Sequence, residues 1–329
     1  MALFALGAAL VHIPYYAVSP GSALEVSGLV EVPGGRSFPA EGGIYLTTVR
    51  LRQVTLLGAV RGWLDPTVEV IEQDLIVPPE VPSGELREFN LQQMDTSKRQ
   101  AVGVAFEELG YDAIYGSGAE VVDVVTGSPA DGVLAPGDVI VALGGGTVGT
   151  YHDVLGLLGE RRPGERTDVV LDGVGTGEQR TAVIALGSHP EGPGRAFLGA
   201  TLRTRDFRFD FPFDVEISSD RIGGPSAGLA FTLQVLDVLT EGELTGGRRV
   251  AATGTMELDG SVGQVGGIVQ KTAAVRRAGI ELLLVPRAEL ADATRLAGDD
   301  LQVEGVDTLG DALRALTDHG GDALPREQL

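Results

Sequence analysis

The chain contains only two lysines, Lys98 and Lys271, although it has 25 basic residues in total. Arginine stays protonated near neutral pH, whereas a buried lysine can lose its proton and act as a base. Lys271 follows, further along the chain, a serine in a glycine-rich run, Ser226 in GGPSAG (residues 223–228). This pairing points to a Ser–Lys hydrolase, with chance placement of Lys271 as the alternative.

Ser226 is followed at once by an apolar run, AGLAFTL, that predicts a helix toward Leu239. The free amides and the dipole at a helix N-terminus favour negative charge, which suits a nucleophile whose tetrahedral oxyanion must be stabilised. An ordinary capping serine is the alternative. The residues flanking Ser226 suggest a special turn and leave room for a substrate backbone: Gly224, Pro225, Ala227 and Gly228.

Lys271 lies in a second patterned segment. A strand and turn over residues 250–256 precede a hairpin turn at 259–263, and a helix carrying Lys271 then ends at Gly279 before a strand over 280–285. A free lysine has a pKa of ~10.4, so the amine must be buried among apolar groups to reach the ~7–8 that suits a general base.

The run from Ile222 to Pro286 reads GPSAG, then TGT, then DGxVGxVGGIxxKxAAxxxAGI, then VP, and it strongly resembles the proteolytic domain of Lon proteases. The resemblance implies that Ser226 is the nucleophile and that Lys271 is the general base and later the acid. It also implies that the Thr253 hydroxyl contacts the lysine; packing of Thr253 in the core is the alternative.

Two positions depart from the Lon pattern. Gly223 stands where typical Lon enzymes have Asp, and Thr255 stands where they usually have Glu, so gating and acid–base tuning at the site are open. The sequence has no GxxxxGK[ST] phosphate loop, so the ATP-driven motor of Lon is not expected. No cofactor and no metal site are expected either, since no metal-ligand spacing is present.

A different module occupies the middle of the chain. A strand at 119–125 is followed by GSPADG, by LAPGDVIVAL, by a hairpin at 144–148 and by a helix at 151–158. This pattern resembles a PDZ domain of the type attached to bacterial periplasmic proteases. The resemblance implies capture of an extended peptide or a chain terminus as an added strand. We assign its carboxylate loop to residues 110–118; a PDZ that only packs against its neighbour is the alternative.

Residues 2–18 contain no Asp, Glu, Lys or Arg, a length at the short edge of a membrane span. No basic segment precedes this run, which disfavours a signal peptide, and an upstream stub is an open possibility. We predict a membrane anchor over residues 1–20, with a buried apolar strand as the alternative.

Composition excludes several classes of protein. A net charge of −21 argues against nucleic-acid binding, and the absence of cysteine excludes disulfides and a thiol nucleophile. None of the four histidines occupies a position tied to Ser226, so a His-containing triad is not expected: His12, His152, His189 and His319.

Anchor, PDZ and Lon-like parts together resemble bacterial membrane-anchored, PDZ-containing Lon-like proteases. The predicted fold class is α+β, with a Lon-type proteolytic domain, an inserted PDZ domain (a β-sandwich or barrel with two helices) and an N-terminal transmembrane helix. The predicted domains are the anchor (1–20), the N-terminal part of the protease (21–110), the PDZ domain (111–187), the catalytic core (188–320) and a tail (321–329).

The predicted function is an ATP-independent serine endopeptidase that cleaves unfolded or tagged polypeptides outside the cytoplasm. Its PDZ domain would capture peptide termini, and the resemblance implies a hexameric ring. No nucleic-acid partner is expected, because of the net charge of −21. Two alternatives remain: a non-enzymatic PDZ adaptor on a degenerate protease fold, and a regulator that cleaves only itself or one partner.

Overall fold

The structure is a computed structural model that describes residues 11–35, 37–38, 40–76, 83–172, 179–190, 192–219 and 222–325. The chain divides into two compact units. Unit 1 combines Met1–Gly110 with Phe213–Leu329, and unit 2 is Tyr111–Pro212.

The elements are numbered along the chain. The strands are β1 (His12–Glu25), β2 (Val30–Glu31), β3 (Gly43–Thr55), β4 (Glu69–Glu72), β5 (Ile114–Tyr115), β6 (Ala119–Val124), β7 (Val139–Leu143), β8 (Gly146–Thr147), β9 (Arg166–Asp172), β10 (Gln179–Ala185), β11 (Gly187–His189), β12 (Gly192–Phe197), β13 (Ala200–Thr204), β14 (Arg208–Phe209), β15 (Glu216–Ile217), β16 (Arg249–Ala252), β17 (Thr255–Met256), β18 (Val262–Gly263), β19 (Leu282–Pro286) and β20 (Gln302–Val306). The α-helices are α1 (Leu56–Leu64), α2 (Gln73–Ile76), α3 (Ser83–Glu108), α4 (Tyr151–Gly159), α5 (Gly228–Leu239), α6 (Ile268–Arg277), α7 (Leu290–Ala297) and α8 (Leu309–Asp318).

Unit 1 is built on a mixed sheet with the strand order β20-β19-β16-β3-β1-β4. The four strands from β20 to β3 are parallel, and β1 is antiparallel to both β3 and β4. Every residue of β19 is buried, as expected for a parallel strand covered on both faces. One core cluster joins this sheet to α6 and α7 through Val275, Leu283, Val285 and Ala293.

The centre of this sheet joins segments that are far apart in the sequence. Gly43–Leu46 of β3 pair with Arg249–Ala252 of β16, although all of unit 2 lies between them in the chain. Residues before unit 2 are therefore structural parts of the same sheet that carries the Lon-like motifs.

Unit 2 contains a sheet with the order β10-β9-β7-β6-β13, to which β8 adds beside β7. Its core includes Val121, Ile140, Val154 and Leu171. The structure corrects two predictions for this unit, its number of helices and its C-terminal boundary. The described part of unit 2 has one α-helix, α4, because the GSPADG segment forms turns rather than a second helix.

The second correction concerns the boundary. Unit 2 continues to Pro212, beyond the predicted end at residue 187, because β13 pairs with β6 and completes the sheet. At the predicted boundary, the structure has strands β11 and β12, which pair with each other.

The N-terminal prediction of a helical anchor over residues 1–20 is wrong where the structure describes it. Residues 12–25 form β1, whose backbone pairs with both β3 and β4. This is a strand, as in the alternative, but Val18 and Pro20 are its only buried residues. Residues 1–10 lie outside the described residues. Within the described part of the chain, no helix is both long and apolar enough to cross a membrane.

Candidate active site

Ser226 lies two residues before the first residue of α5. The N-cap of α5 is Ala227, and no side chain caps the helix, so Ser226 does not act as an ordinary capping serine. The Ser226 carbonyl accepts hydrogen bonds from the Gly254 amide at 3.1 Å and from Thr253 Oγ1 at 3.2 Å. These bonds fasten the serine's backbone to the end of β16.

The turn before Ser226 needs glycine and is held from outside. Gly224 has a φ of +89°, a conformation that residues with a Cβ rarely adopt. Its amide donates to the Asn90 carbonyl of α3 at 2.9 Å, and Ser97 Oγ of the same helix donates to the Pro225 carbonyl at 3.0 Å. The turn before Ser226 is therefore held by hydrogen bonds to α3, which precedes unit 2 in the sequence.

Glycine is also needed at the start of α5. A Cβ at Gly228 would lie 2.6 Å from the Met256 amide nitrogen, so any larger residue would push the helix away from β17. At Gly223, where Lon enzymes have Asp, a Cβ would lie 3.1 Å from Asn90 Cβ. An Asp at position 223 would therefore require Asn90 of α3 to shift by a few tenths of an ångström.

Lys271 occupies the first turn of α6. The helix begins after Gly267, whose φ is +73°, and a Cβ at Gly267 would approach Val49 Cγ1 of β3 to 2.7 Å. The Lys271 amide donates to the Gly267 carbonyl at 2.9 Å. Because the chain passes close to β3 at Gly267, helix α6 begins there, and Lys271 is placed in its first turn.

The Lys271 side chain is buried, with 2% of its surface exposed. Its Nζ donates to Thr253 Oγ1 at 3.0 Å, and that hydroxyl in turn donates to the Ser226 carbonyl. Burial lowers the pKa of Lys271 to about 8, because the ammonium form loses its hydration. A large fraction of the amine is therefore neutral in mildly alkaline solution.

Glu289 is an acidic neighbour of Lys271 that the sequence motifs did not reveal. Its Oε2 accepts a hydrogen bond from the Val265 amide at 3.0 Å. Burial raises the pKa of Glu289, and its carboxylate partly counteracts the lowering of the Lys271 pKa. The only sequence signal was its place shortly after Pro286, at the edge of the matched run.

The second departure from the Lon pattern, Thr255, follows β16 at the start of β17. Its hydroxyl donates to Glu257 Oε1 at 3.0 Å.

Ser226 and Lys271 line one cleft of about 390 Å³. The lining also includes residues that precede unit 2, which sequence reasoning did not assign to the site. One of these, Thr47, is buried, and its hydroxyl oxygen has no hydrogen-bond partner within the described residues. The lining residues are Thr47, Thr48, Val49, Met94, Ile222, Gly223, Pro225, Ser226, Ala227, Gly266 and Lys271.

The predicted site residues therefore divide into groups. Ser226, Pro225, Ala227 and Lys271 line the cleft, and Thr253 lies behind it in contact with the lysine. Gly224 and Gly228 shape the turn and the helix start rather than the lining. No histidine is among the lining residues, and the described parts of the chain hold no group of three or more residues suited to a metal ion.

Comparison with protein families adds an independent observation. Residues 219–318 match the Lon protease (S16) C-terminal proteolytic domain. That range contains Ser226, Thr253, Lys271 and Glu289. The match supports a serine peptidase.

Curated relatives are also Lon proteases. Lon protease 1 of Herpetosiphon aurantiacus is 32% identical over 124 residues, which are 36% of this chain and 15% of that protein. Lon protease of Treponema pallidum is 39% identical over 69 residues, covering 21% of this chain and 8% of that protein. Lon protease 1 of Bdellovibrio bacteriovorus is 27% identical over 225 residues, covering 66% of this chain and 26% of that protein. The chain thus spans a minor part of each relative.

Among solved structures, the chain has PDZ-like neighbours. The PDZ domain of the SdrC-like protein from Listeria monocytogenes is 22% identical, covering 26% of this chain and 87% of that chain, with a TM-score of 0.24. A solution structure from Geobacillus thermodenitrificans is 29% identical, covering 26% of this chain and 95% of that chain, with a TM-score of 0.23.

Proposed function

We propose that the chain is an ATP-independent serine endopeptidase that acts on unfolded or tagged polypeptides through Ser226 and Lys271. The observation that carries the proposal is the buried Lys271 amine, which is held by Thr253 and opens onto the same cleft as Ser226. Burying an ammonium group costs folding free energy, and buried titratable groups with shifted pKa values cluster at active sites.

In the proposed first step, the neutral Lys271 amine takes the proton of the Ser226 hydroxyl as Oγ attacks the substrate carbonyl carbon. The carbonyl electron pair moves to oxygen, where the positive end of the α5 dipole stabilises the oxyanion. The Lys271 ammonium then gives its proton to the leaving amine, and the acyl-enzyme forms. Water, deprotonated by the same amine, releases the second product and restores the hydroxyl.

Peptidase activity tests this proposal directly. The full chain should cleave unfolded casein without ATP, and Ser226→Ala and Lys271→Ala should each abolish cleavage. Lys98→Ala is the matched control, because Lys98 pairs with Asp95 on the surface of α3 and should be dispensable. A serine-reactive fluorophosphonate should label the wild type and fail to label either active-site variant. Undiminished cleavage by either variant would refute the dyad.

The same assays separate the alternatives. An adaptor on a degenerate fold would neither cleave casein nor react with the probe. A regulator that cleaves only itself would react with the probe but leave a substrate library intact, while its own chain shortens in mass spectra.

We propose further that unit 2 captures the substrate peptide on strand β13. This strand lies at one edge of its sheet, with β6 as its neighbour, and edge strands offer backbone groups to an added strand. Helix α4 begins beside it, since the Tyr151 amide donates to Thr204 Oγ1 at 3.1 Å.

The earlier assignment of a carboxylate loop to residues 110–118 does not fit this geometry. The Ser117 amide donates to the Arg205 carbonyl at 2.9 Å, and the Gly118 amide donates to the Gly149 carbonyl at 2.8 Å. Two amides of that stretch are thus already used within unit 2.

The chain passes close to Ser128 directly before β13. Gly199 has a φ of +85° at this point, and a Cβ there would lie 2.1 Å from Ser128 Cβ.

Hydrogen–deuterium exchange of the full Ser226→Ala chain tests peptide capture. An added casein-derived peptide should slow exchange in β13 and leave β10, the opposite edge of the same sheet, unchanged. An amidated version of the peptide reports whether the free carboxylate contributes. Protection at β10 alone, or at neither edge, would contradict capture on β13.

Two proposals rest on the family resemblance and not on the geometry. One is a location outside the cytoplasm, which protease treatment of intact cells expressing the full chain would test. The other is a hexameric ring, which mass photometry of the purified chain would test.

A further inference from the structure

Helix α1 has an unusual distribution of side chains. Its buried residues are Ala59 and Gly62, both small. A Cβ at Gly62 would lie 2.6 Å from Val70 Cγ2 of β4, so the helix approaches the sheet closely through its small face. The face that packs on the protein is therefore the face with the least apolar surface to bury.

The large apolar side chains of α1 are exposed instead. Trp63 is 62% exposed and Leu64 is 80% exposed, and the other large apolar residues of the helix are exposed as well. Contiguous exposed apolar surface on a folded protein marks an interaction site. The exposed large apolar residues of α1 are Leu56, Leu57, Val60, Trp63 and Leu64.

Charge separates this part of the molecule from the rest. The chain has 46 acidic residues, but none falls within residues 1–24 or 42–64, the segments that contain β1 up to Leu24, β3 and α1. The second segment carries three arginines, Arg50, Arg52 and Arg61. Acids border these segments at Glu25, the last residue of β1, and at Asp65, the C-cap of α1. In β4, Glu72 accepts a hydrogen bond from Tyr15.

Strand β1 begins beside the start of α1. His12, the first residue of β1, pairs with Thr55, which is the N-cap of α1. The sequence before it, residues 2–10, is uncharged and apolar throughout. The chain therefore enters the sheet next to the start of the exposed helix.

We infer that α1 is an interfacial helix that lies on a lipid bilayer, with its large apolar side chains inserted at the headgroup boundary. Tryptophan and leucine on one helix face are typical of such elements, and the arginines of an acid-free segment suit anionic headgroups. A lipid surface accounts for the exposed helix and the adjoining apolar sequence together. This inference does not depend on the peptidase proposal.

The test uses the only tryptophan in the chain, Trp63, as a built-in reporter. Vesicles of phosphatidylcholine and phosphatidylglycerol added to the full chain should move its emission to shorter wavelength. Brominated phosphatidylcholine should quench it. Leu64→Glu should weaken vesicle partitioning by about tenfold or more, because a charge is then placed in the interface. The control is Val183→Glu, an exposed valine on β10 of unit 2, which should bind vesicles like the wild type.

Three outcomes would overturn the inference. Vesicles could sediment the protein without changing Trp63 emission, in which case residues 1–10 bind alone. The emission could be short-wavelength without vesicles and depend on protein concentration, in which case a second copy covers α1. It could also be short-wavelength at every concentration, in which case the chain itself covers the helix.

Discussion

Among its described residues, unit 1 buries two ionisable side chains of opposite charge type, Lys271 at the start of α6 and Asp237 on α5. Both are at most 4% exposed, and burial moves both pKa values toward neutrality: that of Lys271 falls to about 8, and that of Asp237 rises to about 6. Lys271 lines the cleft with Ser226, whereas Asp237 is not among the residues that line it.

The difference lies in what each group faces. Lys271 donates to the Thr253 hydroxyl and lines the same cleft as Ser226. Asp237 contacts Gln234 at 3.4 Å, and each of the two retains one buried oxygen without a partner in the described structure. Desolvation is the largest cause of the pKa shift at both residues, and the charge of Glu243 adds to it at Asp237. Only the combination with a cleft and a nucleophile indicates catalysis.

The largest expected effect comes from Lys271→Met. Activity should fall by at least about 10⁴-fold, since the base is lost. Stability should rise by up to about 3 kcal/mol below the Lys271 pKa, the equivalent of the difference between 10.5 and about 8. The gain should shrink as pH rises through this window, because the wild-type lysine becomes neutral in the unfolded state too. Urea unfolding across pH measures it, with Lys98→Met as control; equal stabilities would contradict it.

Thr253→Val should give the next largest loss. The change removes the hydroxyl that binds Lys271 Nζ and the Ser226 carbonyl while preserving the shape of the side chain. Misplacement of both partners should lower kcat by about 10²-fold. Thr272→Val is the control, because the hydroxyl of this buried neighbour on α6 donates to the Ile268 carbonyl of its own helix, at 2.8 Å. Similar kcat values for the two variants would show that the Thr253 bridge has no role in orientation.

Asp237→Asn should affect stability and leave activity within about twofold. The raised pKa of Asp237 means that its ionisation destabilises the folded state progressively from pH 3.8 to about 6 and fully above that. The amide should therefore stabilise the protein by up to about 3 kcal/mol near neutral pH. Thermal unfolding on both sides of that window, beside Asp95→Asn on the surface of α3, measures this. A large loss of activity would erase the contrast with Lys271.

Glu289→Gln should produce the smallest change. Loss of the carboxylate removes an interaction that favours the Lys271 ammonium, so the Lys271 pKa should fall further. The rising limb of the pH–kcat profile should then move to lower pH, with the maximal rate nearly unchanged. Glu257→Gln provides a matched control, since Glu257 accepts from Thr255. A shift to higher pH would contradict the assigned role of Glu289.

The sequence was most informative where chemistry is concentrated in short motifs. GPSAG, TGT and the helix of Lys271 are each local patterns, and the structure brings Ser226 and Lys271 to one cleft. Asn90, Ser97 and Thr47 could not be assigned to the site, because their contribution depends on pairing between distant segments.

Local patterns were ambiguous where two structures share one signature. An uncharged apolar run fits a membrane helix and a sheet strand equally, and pairing with β3 and β4 decides for residues 12–25. Helix α3 spans Ser83–Glu108 although many of its residues are polar, because polar residues do not by themselves interrupt a helix.

The pairing of β3 with β16 has a consequence for biosynthesis. The peptidase proposed above would endanger its own chain while that chain is still unfolded during synthesis. Its central sheet needs residues 43–46 and 249–252 together, and Lys271 follows later still. A nascent chain emerging from the ribosome therefore holds no assembled dyad until unit 2 and the segment through α6 have been synthesised. In the proposed peptidase, the insertion of unit 2 therefore postpones assembly of the site until most of the chain has been synthesised.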